Sequence, residues 1–184
     1  MNSLVGPLFG ISVPAGWRKR TVNPELENSK TLSGYVFQIN VSRGGVPKAG
    51  RAQSEITARG LSEDRQRDSD HHGGEDRAVC LYSLECIMEL QKQGHPVFPG
   101  AMGENLTLTG LDWTVIKPGL RLRIGELLLE TTRYTDPCSN LKPFFLNGDY
   151  SRVSQKANPG WSRLYARVLQ PGRIQVGDAV HILT

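Results

Sequence analysis

No apolar run in this sequence approaches the roughly 20 residues that a membrane-spanning helix needs. No membrane partner is therefore expected. Cysteine is scarce. Cys80, Cys86 and Cys138 are the three in 184 residues, and their spacing makes neither a CxxC metal pattern nor a disulfide framework. A reducing, cytoplasmic setting is the default expectation. Internal repeats and low-complexity tracts are also missing. In "MNSLVGPLFGISVPAGWRKR" the basic cluster follows the apolar part, the reverse of a secretory signal, so no signal peptide is expected. A dense basic stripe is lacking too, which argues against a nucleic-acid duplex as partner.

What the sequence does contain points to a folded, turn-rich chain. Hydrophobic residues make up 38% and charged residues 22%, with 20 glycines and 11 prolines. The formal net charge is +4. From Ser139 to Thr184, six lysines and arginines stand against Asp149 and Asp178, which accounts for the whole excess. A basic C-terminal third suits an anionic ligand.

Residues 1–33 read as an irregular lead-in broken by Pro7, Pro14 and Pro24. Residues 34–184 read as a single domain. "YVFQINVSR" (35–43) alternates Val36, Phe37, Ile39 and Val41 with polar residues and reads as a strand. A short strand fits near Ile56. Residues 73–94 show helical periodicity: Val79, Tyr82, Cys86 and Leu90 share a face, with Leu81, Leu84 and Met88 beside it. The main helix is placed at about 75–93, with Gly94 as its stop and with Cys80 and Cys86 as small core hydrophobes. Downstream, "NLTLTGL", "WTVIKPG", "LRLRIGELLLETTRY", "LYARVLQPG" and "RIQVGDAVHILT" read as short strands, with Pro-Gly and Gly-acid turns making hairpins. The expected fold is mainly β with α: a mostly antiparallel β-barrel with one main helix and short peripheral helices.

Four segments could carry chemistry. "DSDHHGGEDRAV" puts His71 and His72 before Gly73 and Gly74. Adjacent histidines on an extended chain point opposite ways and chelate poorly, so one of them would face a site. The glycines let a ligand approach the backbone. "FPGAMGENLTLTGL" offers Glu104 and Asn105 beside a flexible glycine. "RYTDPCSNLKPFF" holds Cys138 directly after Pro137. Arg133 and Lys142 bring positive charge near that sulfur, and Asp136 brings negative. A thiolate is both a nucleophile and a soft metal ligand. "GWSRLYARVLQPG" places Arg163 and Arg167 four apart, on one face of either a helix or a strand, where they could clamp a phosphate.

Taken in order, "INVSRGGVPK", "DRQRDSDHHGGEDRAVCLY", "FPGAMGENLTLTGL", "PGLRLRIGELLLETTRYTDPC" and "LYARVLQPGRIQVGDAVHIL" resemble the MOSC domain. This family is named after the C-terminal domain of molybdenum cofactor sulfurases. The likeness runs from about Val36 to Leu183 and is greatest to the short, single-domain bacterial type. It implies a β-barrel that binds the molybdenum cofactor, a molybdopterin with a terminal phosphate. It implies that Cys138 either ligates molybdenum or carries a persulfide, as a sulfur carrier or cofactor relay would. His72, Gly73 and Gly74 match the family's HGG, Glu104 and Asn105 its GEN, and Arg167 the arginine of the strand after the cysteine. Arg163 and Lys142 would add cationic contacts to the cofactor, and His71 or His72 would supply a proton. The implied activity is reduction of N-hydroxylated compounds such as N-hydroxylated base analogues, with an external electron donor or a sulfur donor protein as partner. No pyridoxal-phosphate lysine motif is seen, and the chain is too short for the desulfurase domain of the full sulfurases.

Overall fold

The structure, a computed structural model, describes residues 33–65 and 74–183. Seven strands follow one another around a closed barrel: β1 (Ser33–Val41), β6 (Leu106–Thr109), β5 (Val79–Ser83), β9 (Leu164–Gln170), β8 (Leu127–Tyr134), β7 (Arg121–Ile124) and β11 (Ala179–Leu183). Pairing of β11 with the start of β1 closes the ring. The short β2 (Ala49–Arg51) pairs with the far end of β1. A second sheet holds β10 (Gly172–Gln175), β3 (Gln53–Thr57) and β4 (Gly60–Leu61). Among the described strands every pairing is antiparallel except β5 with β6.

Period-two patterning builds the wall. Leu122 and Ile124 on β7, Leu127 and Leu129 on β8, and Leu164 and Ala166 on β9 all point inward and are buried. Arg121 and Arg123 alternate outward. Each buried leucine contributes roughly 1.5–3 kcal/mol relative to an exposed one. On β1 the alternation slips. Val36 pairs with Leu108 and Gln38 with Thr107, so Phe37 is an extra residue at a bulge. The bulge lets Val36 and Ile39, an odd distance apart, both face the core, and it leaves Phe37 on the surface.

Three expectations need correction. Residues 79–83 form β5, and the helix α1 runs only over Leu84–Lys92. The apolar run fits a helical face, but β5 is paired on both edges, by β6 and β9, and that backbone pairing decides. Ser83 marks the change: its Oγ accepts the Cys86 N–H at 3.2 Å and caps the helix. Gly94 ends it as expected, at φ 88°, with Gly94 N–H bonded to the Gln91 carbonyl and His95 N–H to that of Leu90. The second correction concerns "WTVIKPG", which holds a 3-10 turn (Trp113–Val115) where a strand was expected. In the third, neither Pro171-Gly172 nor Gly177-Asp178 makes a hairpin, because β10 pairs with β3 while β11 pairs with β7 and β1. The Gly125-Glu126 turn does join paired strands, β7 and β8.

The strand at 79–83 gives a stability test. Leu81→Ala, in the core, should lower the unfolding free energy by about 2–5 kcal/mol in urea denaturation. Met88→Ala should shift it by less than about 0.5 kcal/mol, because Met88 lies 48% exposed on α1.

Candidate functional site

The outer face of β5 and β9 forms the floor of a cavity of about 280 Å³. Cys80 lies directly opposite Tyr165 in the antiparallel pair, so both side chains stand on this face, while Val79 and Leu81 point into the barrel. The volume is near the lower end of small-molecule pockets, roughly 300–1,000 Å³.

Loops supply the walls. After β1 the chain turns at Gly44 (φ 120°) and Gly45 (φ 92°), conformations open to glycine. Ser42 Oγ accepts the Gly44 N–H at 3.2 Å and donates to the Gly45 carbonyl at 3.0 Å. This turn carries Val46 and Lys48 to the rim. Opposite it, Gly103 sits at φ 83°, where a Cβ would come within 2.9 Å of Val46 Cγ1.

Cys138 reaches the cavity through the end of β8. Thr135 N–H bonds to the Arg163 carbonyl at 3.0 Å, and Ser162 Oγ donates to the Thr135 carbonyl at 2.9 Å. Pro137 then fixes the lead into Cys138. The Cys138 carbonyl accepts the Leu141 N–H at 3.0 Å and starts a 3-10 segment, Ser139–Phe144. The same cross-strand bond ties the lead into Cys138 to Arg163, and the half-buried thiol and Arg163 both line the cavity.

The lining is cationic. Lys48, Arg65, Arg77 and Arg163 contribute to it, with Asp136 as the one carboxylate among the described lining residues. Arg163 is only 8% exposed. Its Nη1 donates to the Met102 carbonyl, and its buried Nε has no hydrogen-bond partner among the described residues. A buried guanidinium with spare donors, facing a cavity, fits an anionic group such as a phosphate. Among the described residues no cluster of three His, Cys, Asp or Glu side chains could hold a metal. A metal at Cys138 would therefore bring further ligands of its own, as a cofactor does.

The expected site residues divide sharply. Cys138, Asn105 and Arg163 meet at the cavity. His71, His72 and Gly73 lie outside the described residues. Gly74 is exposed, with φ 97°, at the start of the Glu75–Arg77 turn. Lys142 is exposed and away from the lining. Arg163 and Arg167 do not form a clamp: Arg167 turns to Asp76 (Nη2 to Oδ1 3.0 Å) and, more distantly, to Glu130 (Nε to Oε1 3.8 Å). Glu104 is fully buried off the cavity, where its Oε1 accepts the Gly100 N–H at 2.6 Å and the Thr107 hydroxyl at 3.2 Å, leaving Oε2 unpartnered. Residues that had no expected site role also line the cavity: Lys48, Arg65, Arg77 and Tyr165, together with Cys80, which was expected as a core hydrophobe. Their signal was present, since each falls inside one of the ordered motif segments.

Burial sets the chemistry of the inner groups. It pushes the thiols of Cys80 and Cys86 up to about 11 and the Tyr165 phenol up to about 12. All three stay protonated at neutral pH. Burial also raises the Glu104 carboxyl above the usual carboxylate range, against its hydrogen bond from Gly100.

A family model described as MOSC domain matches residues 68–181. The Bacillus subtilis protein YflK is 32% identical over 122 residues, covering 66% of this chain and 54% of that protein. Escherichia coli YiiM is 31% identical over 134 residues, covering 70% of this chain and 58% of that protein. The chain thus spans somewhat more than half the length of these curated relatives. A crystal structure of YiiM from Geobacillus stearothermophilus superposes with a TM-score of 0.66 at 26% identity, over 82% of this chain and 75% of that one.

Two outcomes test the site geometry. At pH 8 iodoacetamide should modify Cys138 and leave Cys80 and Cys86 unmodified until the chain is unfolded, as read by peptide mass spectrometry. At that pH only about one in a thousand of the buried thiols is thiolate. Glu104→Gln keeps the acceptor oxygen for Gly100 and Thr107. The raised carboxyl of Glu104 holds its proton more tightly in the folded state, so its contribution to stability falls as pH rises from about 4.5. The variant's melting temperature should therefore gain on that of the wild type between pH 4 and pH 8.

Proposed function

The chain belongs to the MOSC domain family, and on that premise we propose that it is a molybdenum-cofactor-dependent reductase of N-hydroxylated compounds, with Cys138 as the sulfur ligand of the metal. The family is associated with molybdenum cofactor binding. One observation carries the reading: the half-buried Cys138 thiol lines the same cavity as a buried guanidinium and three further cations. A soft sulfur donor suits molybdenum, and a cationic wall suits a pterin phosphate.

Replacing N–OH by N–H takes two electrons and two protons and releases water. When bound, the cofactor supplies the two-electron chemistry, drawing on an external electron-donor protein. The chain's own residues bind and orient. Arg163, with Lys48, Arg65 and Arg77, holds the anionic end. Pro137 and the Thr135–Arg163 bond fix where the Cys138 sulfur points. Tyr165 and Cys80, both protonated, close the floor. His71 or His72 supplies a proton, since a histidine titrates in the range where such transfers are easiest. The substrate is a small N-hydroxylated molecule that enters past Asp136 at the rim.

The test is to make the protein in a host that synthesises the cofactor and to measure bound molybdenum and pterin. Near-stoichiometric amounts of both are expected. Absence of both, under conditions that load a known molybdoenzyme, would sink the reading. Cys138→Ser should lower the reduction rate at least about 100-fold, since even a partner that only orients a metal ligand costs about 10–100-fold when lost, while pterin is retained through the cations. Labelled sulfur accumulating on Cys138 in protein that holds no pterin would replace the reductase by a sulfur carrier.

A further inference from the structure

Asn105 is tied more heavily than any role in lining a cavity requires. Its backbone N–H bonds to the Cys80 carbonyl at 2.7 Å, and its carbonyl accepts the Asn40 N–H at 2.7 Å. Its side chain then uses both ends. Oδ1 accepts the Cys80 N–H at 3.1 Å. Nδ2 donates to the Asn40 carbonyl at 3.3 Å and to Asp64 Oδ2 at 2.8 Å. Asp64 is just as fully engaged: its Oδ1 accepts the Ser42 N–H at 2.7 Å, and its Oδ2 also accepts the Lys48 ammonium. The Lys48 and Asp64 side chains are 11% and 5% exposed.

Only a primary amide satisfies this position. The side chain must accept from a backbone N–H on one side and donate to a carboxylate on the other, and Asn offers both at this length. Aspartate would set two carboxylates against each other. A leucine would strand the Cys80 N–H and remove a donor from Asp64. Asp64, held on both oxygens, is in turn a fixed, buried partner for an ammonium on a flexible four-carbon stem. The Lys48 backbone N–H is tied to the Gly100 carbonyl at 2.9 Å, which fixes where the side chain starts.

We infer that Asn105 and Asp64 are positioning residues that hold the Lys48 ammonium on the cavity wall, so that one of the site's cations is delivered by a relay running from β5 through an amide and a carboxylate. This deepens the cofactor-binding reading and rests on it for its purpose, though not for its geometry. Asn105 lines the cavity, but its side chain is spent on the relay.

The relay is tested by the reactivity of Lys48 in the cofactor-free protein, read as reductive methylation by peptide mass spectrometry, with Lys92 as internal reference. The Lys92 side chain is 70% exposed. In the wild type Lys48 should react at least about tenfold more slowly than Lys92, because its side chain is only 11% exposed and its ammonium is held by Asp64. Equal reactivity of the two lysines would overturn the inference without any variant. Asp64→Asn keeps the acceptor for Ser42 and removes the charge. Asn105→Ala removes the donor to Asp64 and adds no charge beside Lys48. Each should raise the Lys48 rate at least about fivefold in protein that still unfolds cooperatively. Unchanged labelling in folded variants would refute the relay. Raised labelling in protein whose wild type binds no pterin would leave the relay standing and remove the cofactor reading.

Discussion

Strand β5 has a hydrogen-bonded neighbour on each edge, a parallel one in β6 and an antiparallel one in β9. The rest of the structure depends on that double pairing. It places a strand between two others that must themselves close a ring, and so it commits Val79 and Leu81 to the barrel interior. The alternate residue, Cys80, must then face outward, where Tyr165 meets it. A helix over the same residues would satisfy the same apolar periodicity but would leave β6 and β9 each with an open edge. The cavity floor is in this sense a by-product of barrel closure.

The site's electrostatics follow from how far each cation is tied down. Arg163 is nearly buried and hydrogen-bonded to a carbonyl, yet its Nε has no partner among the described residues. Lys48 is matched by a buried carboxylate. Arg167, a plausible phosphate clamp on paper, is held by Asp76 and Glu130 on the barrel's outer surface. Protonated Cys80 and Tyr165 keep the floor free of added negative charge. The result is a positive wall over a neutral floor, with Asp136 at the lip.

Much of this was legible along the chain. Short strands bounded by glycine and proline specified a barrel, because period-two patterning and turn residues are local properties. Gly94 was readable as a helix stop for the same reason. Cys138 and Arg163 were readable as candidates, because a thiol after a proline and an arginine beside a strand keep their character in any context, and both line the cavity. Glu104 and Lys142 were not readable as non-lining residues. Burial and direction depend on the elements packed against them, and a carboxylate next to a glycine looks the same in a turn as in a core. The bulge at Phe37 was hidden too, since one extra residue inverts the facing of every residue after it.

The sequence by itself determined the element types over most of the chain, the family likeness and the set of residues able to bind an anion or a soft metal. These depend on side-chain chemistry and short-range order. Only the tertiary structure decided that residues 79–83 are a strand, that Asn105 and Asp64 serve Lys48, and that Arg163 and Arg167 part company. Each of those depends on partners far away in the chain. Asn105 reaches back 41 residues to Asp64 and 65 to Asn40, and no local pattern encodes a hydrogen bond across such a distance.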